Sequence, residues 1–174
     1  MDFAAIQDWM CEPHIIKLTG LSVLEHQRRT VANYISLLNK APEIPWLPVV
    51  QGFTLDEYLQ HITMYAREGV PLDGLRVGVG SVCRRQSVRG PEGIDGIVPV
   101  FELLDSMKCR THAFGLKKTG IPILKNHIYS ADSLAWSFQA RRRPPLEGCV
   151  GHKNCANCKQ YAMKWLSEVM EVIC

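Results

Sequence analysis

Two hydrophobic periods take turns along this chain. Short runs in which apolar residues are consecutive or alternate read as strands, and longer stretches with apolar residues three and four apart read as helices. The runs FAAIQD (3–8), WLPVVQG (46–52), LRVGVGSV (75–82), CRTHAFGL (109–116) and SADSLAWS (130–137) predict strands, the last of them a strand or a strand end. The stretches 19–40, 54–69 and 94–107 predict helices, followed by a short helical turn over 121–127 and a last helix from about 155 to 172. In the first of these Val23, His26, Val31, Tyr34, Leu37 and Leu38 share one face, and Ser22 with Glu25 three residues on has the form of a capping box. Thr54 and Glu57 repeat that signal, with Gly69 just past the helix end. Pro99 fits the first turn of its helix, where a missing N–H costs nothing.

Strand and helix in strict alternation argue for a parallel sheet. An open doubly wound sheet and part of a (β/α)8 barrel both satisfy the pattern. Five βα units are too few to close an eight-stranded barrel, which normally needs about 200 residues or more. No GxGxxG follows the first strand, so a dinucleotide-binding fold has no local support.

In parallel α/β folds chemistry collects at the C-terminal strand ends. Here those ends carry Gln7 and Asp8, Gln51 and Gly52, Gly80 and Ser81, Phe114 and Gly115, then Asp132 and Ser133. Taken singly, each aspartate reads as a cap or loop carboxylate and Gln51 as a satisfied core amide. Together they suit a pocket that reads the edge of a planar ring, with Asp132 available as nucleophile or base.

Composition narrows the class only slightly. With 174 residues, 47% hydrophobic and 21% charged, the chain suits one domain with a real core. A net charge of +3 is too small to imply nucleic acid by itself, but the arginines cluster at 84–85 and 141–143, next to strand ends. Arg84, Arg85, Arg141 and Arg142 are therefore candidate phosphate ligands. No apolar run spans a bilayer and no leader opens the chain, so a cytoplasmic protein without a membrane partner is expected. Three of the seven cysteines fall in CVGHKNCANC, where Cys149, His152, Cys155 and Cys158 are spaced with two residues between each. Three sulfurs and one imidazole make the closed tetrahedral set of a structural Zn2+ site rather than a catalytic one, which keeps a position for water.

At these residues the sequence resembles a known family. DFAAIQDWMCEP, LPVVQG, RVGVGSVCRRQ, ADSLAWSFQARRRPP and CANCKQYAMKW are similar, in order and spacing, to segments of the tRNA-guanine transglycosylase (queuine tRNA-ribosyltransferase-like) superfamily, closest to its deazapurine DNA modification branch. The resemblance implies a partial (β/α)8 barrel over 1–147 and a zinc-binding segment with the C-terminal helix over 148–174. It implies exchange of guanine in nucleic acid, DNA preferred and tRNA close behind, for a 7-deazaguanine base. Asp132 would be the nucleophile, and Asp8, Gln51, Gly80 and Ser81 would hold the base.

Two departures accompany the resemblance. The family's DSGGF-type segment, with a further catalytic aspartate, has no counterpart, so the barrel is expected to be incomplete. That leaves open a non-catalytic fragment or accessory subunit, binding nucleic acid or a partner chain, or a second copy, that supplies the missing strands. In the metal motif, Lys153 stands where the family has its first cysteine, and Cys149 and His152 fill the vacancies from the N-terminal side.

Overall fold

The computed structural model describes residues 3–86 and 88–173. Short strands and helices alternate along them: β1 (Ala4–Ala5), α1 (Pro13–Thr19), α2 (Val23–Lys40), β2 (Trp46–Leu47), β3 (Val49–Val50), α3 (Leu55–Arg67) and β4 (Arg76–Val79). A 3-10 turn (Ile94–Gly96) leads into α4 (Val98–Ser106), followed by β5 (Arg110–Ala113), α5 (Ile121–Leu124), β6 (Ser130–Ala131), α6 (Ala135–Ala140) and α7 (Lys159–Ile173).

Every ladder is parallel, and each strand pairs with its neighbour in sequence. β2 and β3 are one extended stretch divided at Pro48, which has no N–H to give but whose carbonyl accepts from the Gly78 N–H at 2.8 Å. Its first half pairs with β1 and its second with β4, so the two small sheets run on from one another. The strand order never reverses, which rules out the doubly wound alternative with its switch point. Among the described residues β1 and β6 do not pair, and no closed barrel is formed.

Local signals explain most boundaries. The Thr54 capping box forms in full, with the Thr54 hydroxyl accepting from the Glu57 N–H and the Glu57 carboxylate accepting from the Thr54 N–H. The helix expected over 19–40, with Ser22 capping its start, is α2, and α1 precedes it as a helix the sequence reading did not include. Gly20 turns left-handed at φ 69°, ends α1, and lets Ser22 cap a separate α2 by accepting from the Glu25 N–H at 3.2 Å. The expected strand 130–137 keeps only two residues in β6. Ser133 accepts from the Ala135 N–H and the chain turns into α6.

The sheet face toward the helices is apolar except for Thr111, whose hydroxyl donates to the His127 carbonyl at 2.7 Å. Val50, Val77, Val79 and Ala113 are fully buried there, in one cluster with Tyr58, Tyr65, Phe101 and Leu104. On the other face Gly78 lies under Phe114 and Gly80 against Gln51, and His112 reaches Ser130. A second, smaller core joins Ala140, Cys155 and Tyr161 with Trp136, Leu146, Cys149 and Cys158. Among the described residues no helix is long and apolar enough to cross a membrane. Phe101→Ala removes a fully buried ring from the main core. It should lower unfolding free energy by about 3–5 kcal/mol in urea melts.

Candidate functional site

The sequence-predicted site residues fall into three groups, two at the C-terminal strand ends and one before α7. The first gathers Asp8, Gln51, Gly80 and Ser81. The Gln51 side chain bridges it: its amide nitrogen donates to the Asp8 carboxylate, and its Oε1 accepts from the Ser81 hydroxyl at 2.7 Å. The Ser81 hydroxyl in turn accepts from the Cys11 N–H at 3.3 Å. Ser81 sits at φ 57°, a region costly for a residue with a Cβ and found where surrounding structure fixes it.

Gly80 contributes differently from the expectation. Its N–H donates to the Val50 carbonyl and its own carbonyl accepts from the Tyr58 hydroxyl at 2.7 Å, so its backbone is engaged within the fold. What it offers is space: a Cβ there would stand 1.9 Å from the Gln51 amide nitrogen. Supporting residues that the sequence did not single out hold Gln51 from behind. His61 Nδ1 accepts the Gln51 N–H at 2.7 Å, and burial pushes its pKa down to about 4, which keeps the imidazole neutral and able to accept. Gln27 donates to the Gln51 carbonyl at 2.8 Å. Helix period could have hinted at His61 alone, which lies between Tyr58 and Tyr65 on the buried face of α3.

The second group centres on Asp132. Oδ1 accepts from the Gly115 N–H at 2.7 Å, and Oδ2 stands 3.8 Å from His112 Nε2. His112, foremost, and the Gly115 N–H hold this carboxyl below its ordinary range against a smaller effect of burial. His112 is positioned in turn by Ser130 at 2.9 Å from Nδ1 and by Phe114, 4.7 Å away in an edge-to-face contact. Strand register could have revealed it, because His112 lies beside Ser130, two residues before Asp132 on the same face. Asp132 lines a cavity of about 570 Å3 with Cys83, Arg84, Gly115, Lys117 and Leu134. Gly115, at φ 67°, lets Cys83 pack against its Cα, where a Cβ would come within 2.9 Å of the Cys83 Cβ. Cys83 thus connects the Ser81 turn to the amide that holds Asp132.

The arginines divide. Arg84 is exposed at the cavity, and Arg141 and Arg142 are exposed after α6. Arg85 departs from the phosphate-binding expectation: it is 2% exposed, and its guanidinium donates to the carbonyls of Phe53, Pro91, Glu92 and Gly93. It ties two loops together and has little left for an anion.

The third group is the cysteine–histidine cluster. The ligand atoms of Cys149, His152, Cys155 and Cys158 all lie within 4.8 Å of one another, and the group could hold a metal ion. Cys149 and Cys158 sulfurs are 3.7 Å apart, and His152 Nε2 is 3.3 Å from the Cys155 sulfur. The sulfur separation is far beyond a disulfide bond of about 2.05 Å. Backbone N–H groups already point at the sulfurs, Leu146 to Cys155 and Tyr161 to Cys158, the latter holding the Cys158 pKa down. Desolvation first, then the neighbouring thiols, push the Cys149 thiol up to about 11.

Fold and site together define an α/β protein with a parallel sheet, polar groups massed at the strand ends, and a Cys3His cluster near the C-terminus. The model of the DpdA family, described as DeoxyPurine in DNA protein A, matches residues 1–173, and the chain belongs to that family. No curated protein and no solved structure matches the chain.

Two outcomes test this geometry. Burial raises the Asp8 pKa, outweighing its bond from Gln51, so the folded value lies above the unfolded one. Any stabilisation from a protonated Asp8 is then full below the unfolded pKa and lost as pH rises through the folded pKa. Asp8→Asn should therefore raise the melting temperature at neutral pH, with the advantage vanishing in acid. For the cluster, Cys155→Ser should abolish stoichiometric bound metal, measured by atomic emission, and lower the melting temperature. A chain that purifies without metal and melts identically after the substitution contradicts the clamp.

Proposed function

We propose that the protein exchanges a guanine in DNA for a 7-deazaguanine base through a covalent bond to Asp132. The observation that carries this reading is a carboxylate kept ionised and held by Gly115 and His112, opening on a cavity with a basic rim. Membership of a family described by deoxypurine in DNA supports DNA as the substrate, with tRNA as the competing nucleic acid.

In the first step an Asp132 oxygen bonds to the sugar C1′ while the bond from C1′ to guanine breaks, its electron pair leaving with the base. Oδ2 suits the attack, because Oδ1 is engaged by the Gly115 N–H at the closer distance. In the second step the incoming base bonds to C1′ through its ring nitrogen, the proton of that nitrogen passes through solvent to the ring nitrogen of the departed guanine anion, and the Asp132 ester bond breaks, its electron pair returning to the carboxylate. Carboxylate attack of this kind suits an oxocarbenium-like centre. Asp8 would accept from the ring N–H and exocyclic amine, and Gln51 and Ser81 would turn their N–H and O–H toward the base carbonyl. A site built on such pairs rejects rings that lack them.

Zn2+ fits the Cys3His cluster. A tetrahedral ion with bonds to sulfur of about 2.3 Å separates two sulfurs by about 3.75 Å, close to the 3.7 Å between Cys149 and Cys158. With all four positions taken by Cys149, His152, Cys155 and Cys158, the ion's contribution is structural. Arg84, Arg141 and Arg142 would meet phosphates beside the reacting nucleotide.

The test is release of labelled guanine from DNA, and separately from tRNA, in the presence of a 7-deazaguanine base. Asp132→Asn should reduce release at least about a thousandfold and abolish the adduct between chain and nucleic acid. Release that survives the substitution would remove Asp132 as nucleophile, and release from tRNA alone would change the substrate.

A further inference from the structure

We infer that the chain carries a track for a single DNA strand, running from the Asp132 cavity along α6 to the Cys3His cluster. The inference rests on the DNA reading above and extends it to the nucleotides flanking the reacting one.

Three hollows meet end to end along this line. The Asp132 cavity shares Lys117, Ala135 and Phe138 with a second hollow of about 280 Å3. That second hollow shares Lys118, Gln139 and Trp165 with a third of about 400 Å3, closed by Arg143, Lys164 and Glu168 beside the clamp. Arg84 and Lys117 stand at the near end, Lys118 in the middle, and Arg143 and Lys164 at the far end. Against these five cations the track holds two carboxylates, Asp132 and Glu168. Its excess is as large as the +3 of the whole chain, so charge that looked modest in composition is concentrated here.

The far cations converge on one point. Glu168 is held below its ordinary pKa by Lys118 first, with Lys164 and Arg143 adding to it. One carboxylate cannot neutralise three cations, and the remainder attracts a phosphate.

Apolar groups interleave with the charge. Leu134 is 79% exposed and Phe138 is 55% exposed, both on the floor nearest Asp132. The Arg142 guanidinium lies 3.7 Å from the Phe138 ring centroid, capping one face of the ring. A duplex keeps its bases stacked inside and has no use for such surfaces. An unpaired strand offers bases to stack and phosphates to neutralise, and the alternation of aromatic and cation suits it.

The experiment measures binding of a labelled oligodeoxynucleotide with one guanine, single-stranded and in duplex, by fluorescence anisotropy across a salt series. The chain carries Asp132→Asn throughout to prevent turnover. The pair Arg143→Gln and Lys164→Gln should weaken strand binding and make the slope of log affinity against log salt shallower by about 1.4, at about 0.7 per phosphate contact. Arg143→Lys with Lys164→Arg should keep the slope. Trimming the oligonucleotide on one side of the guanine should weaken binding to the parent chain and leave the glutamine pair unaffected, which a merely structural role would not produce. Metal content and melting temperature confirm the fold of each variant, and if the pair melts early, Lys164→Gln alone decides, with a slope change of about 0.7. Unchanged affinity and slope overturn the track, and tighter binding of duplex with the same losses gives the surface to duplex instead. Guanine release is read separately, so either conclusion can fail while the other stands.

Discussion

The side chain of Gln51 is the point on which the strand-end architecture turns. It donates to Asp8, which follows β1, and accepts from Ser81, which follows β4, while its own backbone is held by His61 and Gln27 from the helices behind. A single amide thereby joins three successive strand ends and two helices. The arrangement works only because residue 80 has no side chain, since any Cβ there would occupy the place of the Gln51 amide. Buried polar networks of this kind are rigid when fully paired and costly when any member is removed. The same linkage fixes Ser81 in its left-handed backbone, and from that turn Cys83 reaches Gly115, whose N–H steadies Asp132. Geometry set at β1 is in this way carried across the sheet to β6.

Two carboxylates at the same end of one sheet are driven in opposite directions. Asp8 is partly buried and its pKa rises, because desolvation outweighs the hydrogen bonds from Gln51 and the backbone. Asp132 is largely exposed, with 59% of its side chain accessible, and its pKa falls, because His112 and an amide N–H favour the charged form. Pairs of titratable groups pushed apart by their surroundings mark a division of labour.

Much of this was legible in the residues alone. The alternation of periods gave the parallel sheet, and strand ends gave the positions of Asp8, Gln51, Ser81 and Asp132, because polar residues ending apolar runs have few other reasons to be there. The spacing of CVGHKNCANC gave the cluster. What stayed hidden depended on contacts distant in sequence. Arg85 looks like Arg84 until the loop 91–93 folds over it and takes its donors for carbonyls. Gly80 looks like a backbone ligand until Tyr58 occupies its carbonyl. His61 and His112 are unremarkable in a string of residues, and their importance appears only when register and helix packing bring them to Gln51 and Asp132.

The cysteine–histidine cluster takes its meaning from where α7 lies. At its start Tyr161 belongs to the small core around Cys155, and further along Trp165, Val169 and Val172 pack against the main core. The helix is thus a rod fixed at both ends, and Lys118 is bound to it through Glu168. The cluster pins the rod where Ala140 ends α6, so the arginines at 141–143 leave the protein at a set angle beside it. A hydrophobic core of this size, three buried residues with a few partly buried neighbours among the described residues, is small for holding a fifteen-residue helix and an arginine-rich loop together. Four candidate ligands drawn from ten residues could hold a metal ion there, and metal binding to an unformed site is folding free energy. The carboxylate at Asp132 and the cluster before α7 are therefore separate groups, one held at a strand end by Gly115 and His112, the other gathered from the ten residues that lead into the helix.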